Sequence, residues 1–310
     1  MRALIALGGN ALAAAEESAS AEHQLAAAAQ AMKGVAEAVA EGVEVLLTHG
    51  NGPQVGDLLV KNEAAAAVVP PETLDSCVAQ TQGTLGFLLV TVLERALAAR
   101  GVDRPVAALV TRALVDRNDR GFTQPTKPIG RYLPEDEAAL LIEHGQTWEP
   151  RGSEGWRRVV ASPEPLEVLD AAAAEALVSA GFVVVTNGGG GIPVVREPDG
   201  SLHGVEAVID KDLGAAVLAH TVRAEVLVIA TDVPHAWLDF RTPTQRPIGR
   251  VPVAALREFA AQGHFFHGSM APKVDAVCRF VEGGGHTAVI TDLDSIAAAV
   301  HGEAGTVVVP

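Results

Sequence analysis

The chain has 310 residues, 48% of them hydrophobic and 4% aromatic, which allows one large α/β core or two modest domains; a single domain over 1–310 with one excursion is expected. A net charge of −15 argues against nucleic acid as a partner, because the overall field would repel its phosphates. Cys77 and Cys278 lie far apart with no C-x-x-C spacing, so neither a disulfide framework nor a zinc knuckle is indicated, and a cytoplasmic protein with two buried thiols is the simplest account.

The first apolar run, 1–7, is too short for a signal peptide and is interrupted by Gly8-Gly9, so it reads as a first strand. No stretch of eighteen apolar residues free of charge or glycine occurs, so no membrane span is expected. Along the chain, short aliphatic runs alternate with longer alanine-rich helical segments, the pattern of a parallel sheet covered on both faces. Strands are predicted at 2–7, 43–48, 105–111, 181–186, 225–230, 286–291 and 305–309. Helices are predicted at 20–41, 53–67, 73–100, 165–180, 211–222, 253–261, 270–283 and 292–301. The segment 115–162 breaks the rhythm with prolines and two of the three tryptophans, and reads as a protruding lobe or lid. A second irregular stretch, 232–250, holds Pro234, Pro243 and Pro247 and reads as a loop beside the site.

Three glycine-rich turns close apolar runs: Leu7-Gly8-Gly9-Asn10, His49-Gly50-Asn51-Gly52-Pro53 and Asn187-Gly188-Gly189-Gly190-Gly191. Such turns let backbone N–H groups approach phosphate oxygens, since glycine has no Cβ to hold an anion away. No G-x-x-x-x-G-K-[ST] occurs, so any phosphate is held by something other than a P-loop. Pro53 fits the first position of a helix, which puts Asn51 and Gly52 at its N-terminus; that end is either an anion site or an ordinary cap.

Two lysines occupy helix starts, where the macrodipole disfavours a cation by about 0.3 to 1 kcal/mol. Lys211 follows the predicted N-cap Asp210, and Lys273 follows Ser269 and Met270; a bound anion would offset the cost in both places. A third, Lys127, stands between Pro125 and Pro128, which stiffen its loop; taken alone it reads as an exposed loop lysine. Asp232 follows a strand at the carboxyl edge where α/β sheets bind ligands. His49 follows another strand end and reads as a satisfied structural histidine, and His264-Phe265-Phe266-His267 reads as a packed segment because no third metal ligand is placed near it. Neither G-x-S-x-G nor a G-x-G-x-x-G after the first strand is present, which lowers hydrolase and dinucleotide readings.

Taken together, the segments Leu7–Leu12, Thr48–Gly56, Pro125–Gly130, Asn187–Val194, Ala207–Asp212, Gly263–Phe265 and Gly268–Met270 resemble, in order and across the whole chain, the signatures of the carbamate kinases of the amino acid kinase superfamily. Two positions depart from that pattern: Ala271 where glycine is usual before Pro-Lys, and Asp239 where asparagine is usual before Phe. The resemblance implies a three-layer αβα sandwich with a central, mostly parallel sheet of about eight strands, a small protruding subdomain at 115–162 and assembly as a homodimer. It implies reversible phosphoryl transfer between ATP and carbamate, giving ADP and carbamoyl phosphate, with Mg²⁺ on the nucleotide phosphates and water rather than on protein ligands. A kinase for another small acid or for UMP, and a nucleotide-sensing module without turnover, are the alternatives; nucleic acid and membrane are not expected partners.

On this reading Lys211 and Lys273 stabilise the transferring phosphoryl group and the nucleotide phosphates, Asp210 orients the lysines, and Lys127 reaches in from the lobe to the carbamoyl side. Gly8, Gly9, Asn10, Gly50, Asn51 and Gly52 would bind the transferred group and the carbamate. Gly188, Gly189 and Gly190 would permit close approach, and Asp232, Ser269 and Met270 would lie by the nucleotide.

Overall fold

Fully buried parallel strands need no polar face, and the chain follows that rule from its first element. The structure, a computed structural model, describes residues 1–8, 21–265 and 270–310. In chain order the main elements begin with β1 (Arg2–Leu7), α1 (Ala21–Ala40), β2 (Glu44–His49), α2 (Gly52–Ala65), α3 (Leu74–Ala98), β3 (Val106–Ala108) and β4 (Arg112–Val115). The lobe follows, with the single turn α4 (Arg120–Thr123), β5 (Lys127–Leu133), α5 (Glu135–Glu143), β6 (Trp148–Pro150) and β7 (Trp156–Val160). Then come β8 (Pro165–Val168), α6 (Ala171–Ser179), β9 (Val183–Val185), β10 (Ile192–Arg196), β11 (Leu202–Gly204), α7 (Lys211–Thr221) and β12 (Val226–Thr231). The last stretch holds β13 (Trp237–Leu238), β14 (Arg246–Pro247), β15 (Arg250–Pro252), α8 (Val253–Ala261), α9 (Met270–Glu282), β16 (Thr287–Asp292), α10 (Ile296–Val300) and β17 (Thr306–Val309).

Eight strands form the central sheet in the order β15-β17-β16-β12-β1-β2-β9-β3, all pairs parallel except β16 with β17. Alternation along each strand sends side chains to two cores. Leu4, Ala6, Leu46, Val184, Leu227 and Ile229 face α6, α7 and α9, while Ala3, Ile5, Leu7, Val45, Leu47 and Val228 face α1, α3 and α10. The alanine-rich composition is used in this second layer, where Ala28, Ala31, Ala36 and Ala38 of α1 are fully buried and let the helix sit close to its neighbours. The helix α3 is long and apolar enough to cross a membrane, yet its Leu89, Val92, Leu93 and Leu97 are buried in the same core.

Two regions differ most from the sequence reading. The segment 165–168, predicted as the start of a helix, is strand β8, antiparallel to β4; Pro163 and Pro165 disfavour the helix, and Pro165 is tolerated at the first position of an edge strand. With β10 and β11 it completes a second, four-stranded sheet in the order β11-β10-β4-β8. The stretch 232–250 is not all loop, since β13 and β14 pair within it. The excursion is a three-stranded sheet, β5-β7-β6, with α5 packed on it through Leu133, Ala138 and Trp148.

The lobe is fixed to the body at one tight point. A Cβ on Gly56 of α2 would stand 2.6 Å from the Cα of Gly130 in β5, so the two backbones approach as only glycine permits. Around it Val55, Cys77, Val78, Ile129, Val160 and Val208 make a small core that joins lobe, helices and body.

Candidate active site

The carboxyl ends of β1, β2, β9 and β12 lead into the segments that carry the predicted site, the position at which open α/β sheets present ligands. The N-terminus of α7 is its centre. Asp210 caps that helix, its Oδ1 accepting from the Asp212 N–H at 2.9 Å and the Leu213 N–H at 3.4 Å. Its other oxygen, Oδ2, receives Lys127 Nζ at 2.6 Å, so the lobe reaches the body through this ion pair.

Sequence reasoning assigned the orientation of all the lysines to Asp210, and the structure corrects this. Lys211 and Lys273 are both held by Asp212, Lys211 on Oδ1 and Lys273 on Oδ2 at 3.2 Å. With one oxygen of Asp210 spent on the cap and the other on Lys127, a second carboxylate is needed, and Asp212 supplies it from within the first turn. Asp212 is the functional residue that the sequence reading missed. An acid in the first turn of a helix that begins with a lysine was the available signal.

Burial and charge set the ionisation of this cluster. Burial pulls Lys211 below the ordinary lysine value, Asp212 opposes the fall, and neighbouring Lys273 adds to it. Burial also works against the charge of Lys273, but Asp212, Asp210 and Asp232 outweigh it and hold that ammonium above its usual value. For Asp212, burial favours the neutral acid, yet Lys211 and Lys273 prevail and hold the carboxyl at about 2. The three lysines of 127, 211 and 273 thus meet on two aspartates.

The second and third glycine turns interlock beside this cluster. His49 is buried, and its Nδ1 lies 3.1 Å from the Gly50 carbonyl. Burial is the main reason its imidazole falls to about 4, with Lys211 pushing the same way and the Gly50 contact resisting. A Cβ on Gly188 would collide with the His49 ring, one on Gly189 with the Asn51 amide, and one on Gly190 would stand 2.8 Å from Ile209 Cβ. In this structure what Gly188, Gly189 and Gly190 admit is protein, the side chains of 49, 51 and 209. Asn51 in turn donates from Nδ2 to Thr81 Oγ1 at 2.8 Å.

The glycine N–H groups divide into spent and available. Gly8 N–H donates to Ala230 O at 2.8 Å and Gly50 N–H to Leu7 O at 2.9 Å, both extending the sheet ladder, and Gly190 N–H donates to Asn187 O. The Gly8 and Gly50 N–H groups are therefore spent within the sheet, and these glycines shape the turns. Gly52, Gly188 and Gly189 keep N–H groups without an acceptor among the described residues. Asp232 follows β12, is exposed, and accepts from Thr231 Oγ1 at 3.0 Å. Met270 opens α9 and packs on the main core. Gly9, Asn10 and Ser269 lie outside the described residues.

An α/β arrangement of this form has relatives. Residues 1–292 match the amino acid kinase family, and the chain belongs to it. Within that family it stands with the carbamate kinases: it is 43% identical to "Carbamate kinase" of Thermococcus kodakarensis over 99% of both chains, and 43% identical to that of Trichomonas vaginalis over the full length of both. Among solved structures, carbamate kinase from Giardia lamblia bound to AMP-PNP superposes with a TM-score of 0.92 at 36% identity, covering 99% of this chain and 98% of the other.

Proposed function

We propose that the chain transfers a phosphoryl group reversibly between ATP and carbamate, forming ADP and carbamoyl phosphate. The observation that carries this reading is the meeting of Lys127, Lys211 and Lys273 on Asp210 and Asp212, beside a helix N-terminus and the Gly52, Gly188 and Gly189 N–H groups, which have no acceptor among the described residues. Phosphoryl transfer passes through a loose transition state, so the protein's work is to align donor and acceptor and to neutralise charge on the equatorial oxygens. Carbamate is already an anion and needs no general base to attack. The obstacle is bringing two anions together, and ammonium groups address it directly.

Lys211 and Lys273 serve the transferring group and the nucleotide phosphates, with Asp212 holding both at fixed positions. Lys127, anchored on Asp210, reaches the carbamoyl side from the lobe. Asn51, Gly52, Gly188 and Gly189 line the acceptor and phosphoryl region, with Asp232 and Met270 toward the nucleotide. Asp210 and Asp212 each already carry an ammonium, which leaves a poor protein cage for a divalent cation; Mg²⁺ fits as a partner of the nucleotide phosphates and water. Both cysteines are buried free thiols, in keeping with a cytoplasmic setting, and a homodimer is proposed below from the exposed face at β3.

A coupled assay of ATP formation from ADP and carbamoyl phosphate, run beside a panel of other acyl phosphates, tests the assignment. Turnover fastest with carbamoyl phosphate is expected. Turnover confined to a larger acyl phosphate, or nucleotide binding without turnover, would overturn it.

A further inference from the structure

The first turn of α2 holds a buried polar group that the described residues leave unanswered. Gln54 is 9% exposed, and neither its Oε1 nor its Nε2 has a hydrogen-bond partner among the described residues or measurable contact with solvent. An unpaired buried amide costs about 1–3 kcal/mol, so a residue of this kind calls for a partner. Helical side chains lean toward the N-terminus of their own helix and over the residues three and four positions back, which for Gln54 are Asn51 and Gly50. At the same helix end the Gly52 and Gln54 N–H groups find no acceptor among the described residues. The same turn touches the phosphoryl site, because Asn51 abuts Gly189 and His49 feels the charge of Lys211.

We infer that Gln54 is the residue that recognises the amino group of the acceptor, an inference that rests on the carbamate reading above. A carboxamide and a carbamoyl group are complementary at two points: Oε1 accepts from the substrate NH₂, and Nε2 donates to the adjacent carbonyl oxygen. The helix N-terminus meets the negative end of the same molecule. An acyl group bearing methyl in place of NH₂ satisfies only the second contact and leaves Oε1 buried and unpaired. A site built to hydrogen-bond an NH₂ group rejects the analogue that lacks it.

The experiment compares wild type with Gln54→Met, which keeps length and volume but removes both polar atoms, using carbamoyl phosphate and acetyl phosphate as phosphoryl donors to ADP. The expected result is a rise of about tenfold or more in KM for carbamoyl phosphate, an unchanged KM for ADP, and collapse of the preference for carbamoyl over acetyl phosphate. A purely structural amide would leave that preference unmoved while shifting only thermal stability. Should Gln54→Met fail to fold, Gln54→Glu gives the same readout, since a carboxylate keeps the acceptor, loses the donor and repels the anion. Wild-type turnover of carbamoyl phosphate with an unaltered donor preference in the folded variant overturns the role of Gln54 alone. Absence of wild-type turnover with carbamoyl phosphate overturns the carbamate reading beneath it.

Discussion

Asp212 carries two ammonium groups on one buried carboxylate, so substitutions around it separate structural from chemical roles. Asp212→Asn leaves Lys211 and Lys273 facing one another without their shared counter-charge, and removing one partner of a buried ion pair costs about 3–5 kcal/mol. Urea unfolding should register a loss of that order. Lys211→Met leaves Asp212 paired with Lys273, so the unfolding midpoint should move little while kcat falls by several orders of magnitude. Equal destabilisation by both substitutions would mean that Lys211 is chiefly structural. His49 sets a pH limit of its own. Its imidazole titrates at about 4 in the fold against 6.5 ordinarily, so between those values the unfolded chain binds more protons and stability falls as pH falls. The full effect is on the order of 3 kcal/mol. In His49→Asn, an amide N–H can still reach the Gly50 carbonyl and nothing titrates. The stability gap between wild type and variant should therefore shift in the variant's favour from about pH 7 to about pH 4.5 in urea titrations, and a gap independent of pH would refute the assignment.

At the scale of elements, the contact between α2 and β5 sets where Lys127 lies. Gly56→Ala would put a methyl into the Gly130 backbone, and relief requires β5, three residues from Lys127, to move away. Overpacking of this kind costs about 1–3 kcal/mol. The expected outcome is a folded protein with kcat/KM for carbamoyl phosphate reduced by at least about tenfold, whereas wild-type kinetics would show that the lobe adjusts without cost. The central strands were legible because a parallel strand covered on both faces is an unbroken apolar run, as in Arg2–Leu7 and Val226–Thr231. The strand predicted at 105–111 stops at Ala108, because beyond it Thr111 leaves the ladder and its backbone pairs with the Gln82 amide, a partner 29 residues away. The second sheet was invisible for a related reason: its strands are three to five residues long, and β4, which joins β8 to β10, pairs with segments far along the chain. At the site Lys211 and Lys273 stood out by position, since each sits in the first turn of a helix and opposes its dipole, whereas Lys127, taken alone, read as a loop lysine and was picked out only by the resemblance. Asp212 did not stand out, because its second partner, Lys273, is 61 residues downstream.

For the whole molecule, the unfinished surface lies at the β3 end of the central sheet. β3 is an edge strand, and the neighbouring helix α3 approaches it so closely that a Cβ on Gly86 would stand 3.0 Å from Ala108 Cβ. Phe87, one residue on, is 75% exposed, and Val110, just past β3, is 61% exposed. Burying a phenylalanine of this kind contributes about 1.5–3 kcal/mol, and a two-fold axis through the patch would bury it twice. The edge itself is only three residues long, so the apolar side chains, more than free backbone groups, would hold a partner copy. Light scattering should accordingly give twice the 32.0 kDa chain mass for the wild type and the single-chain mass for Phe87→Glu, with kcat retained because the patch lies outside the lysine cluster. A wild-type mass of one chain removes the dimer from the proposal. A dimer that survives Phe87→Glu unchanged moves its interface to another face.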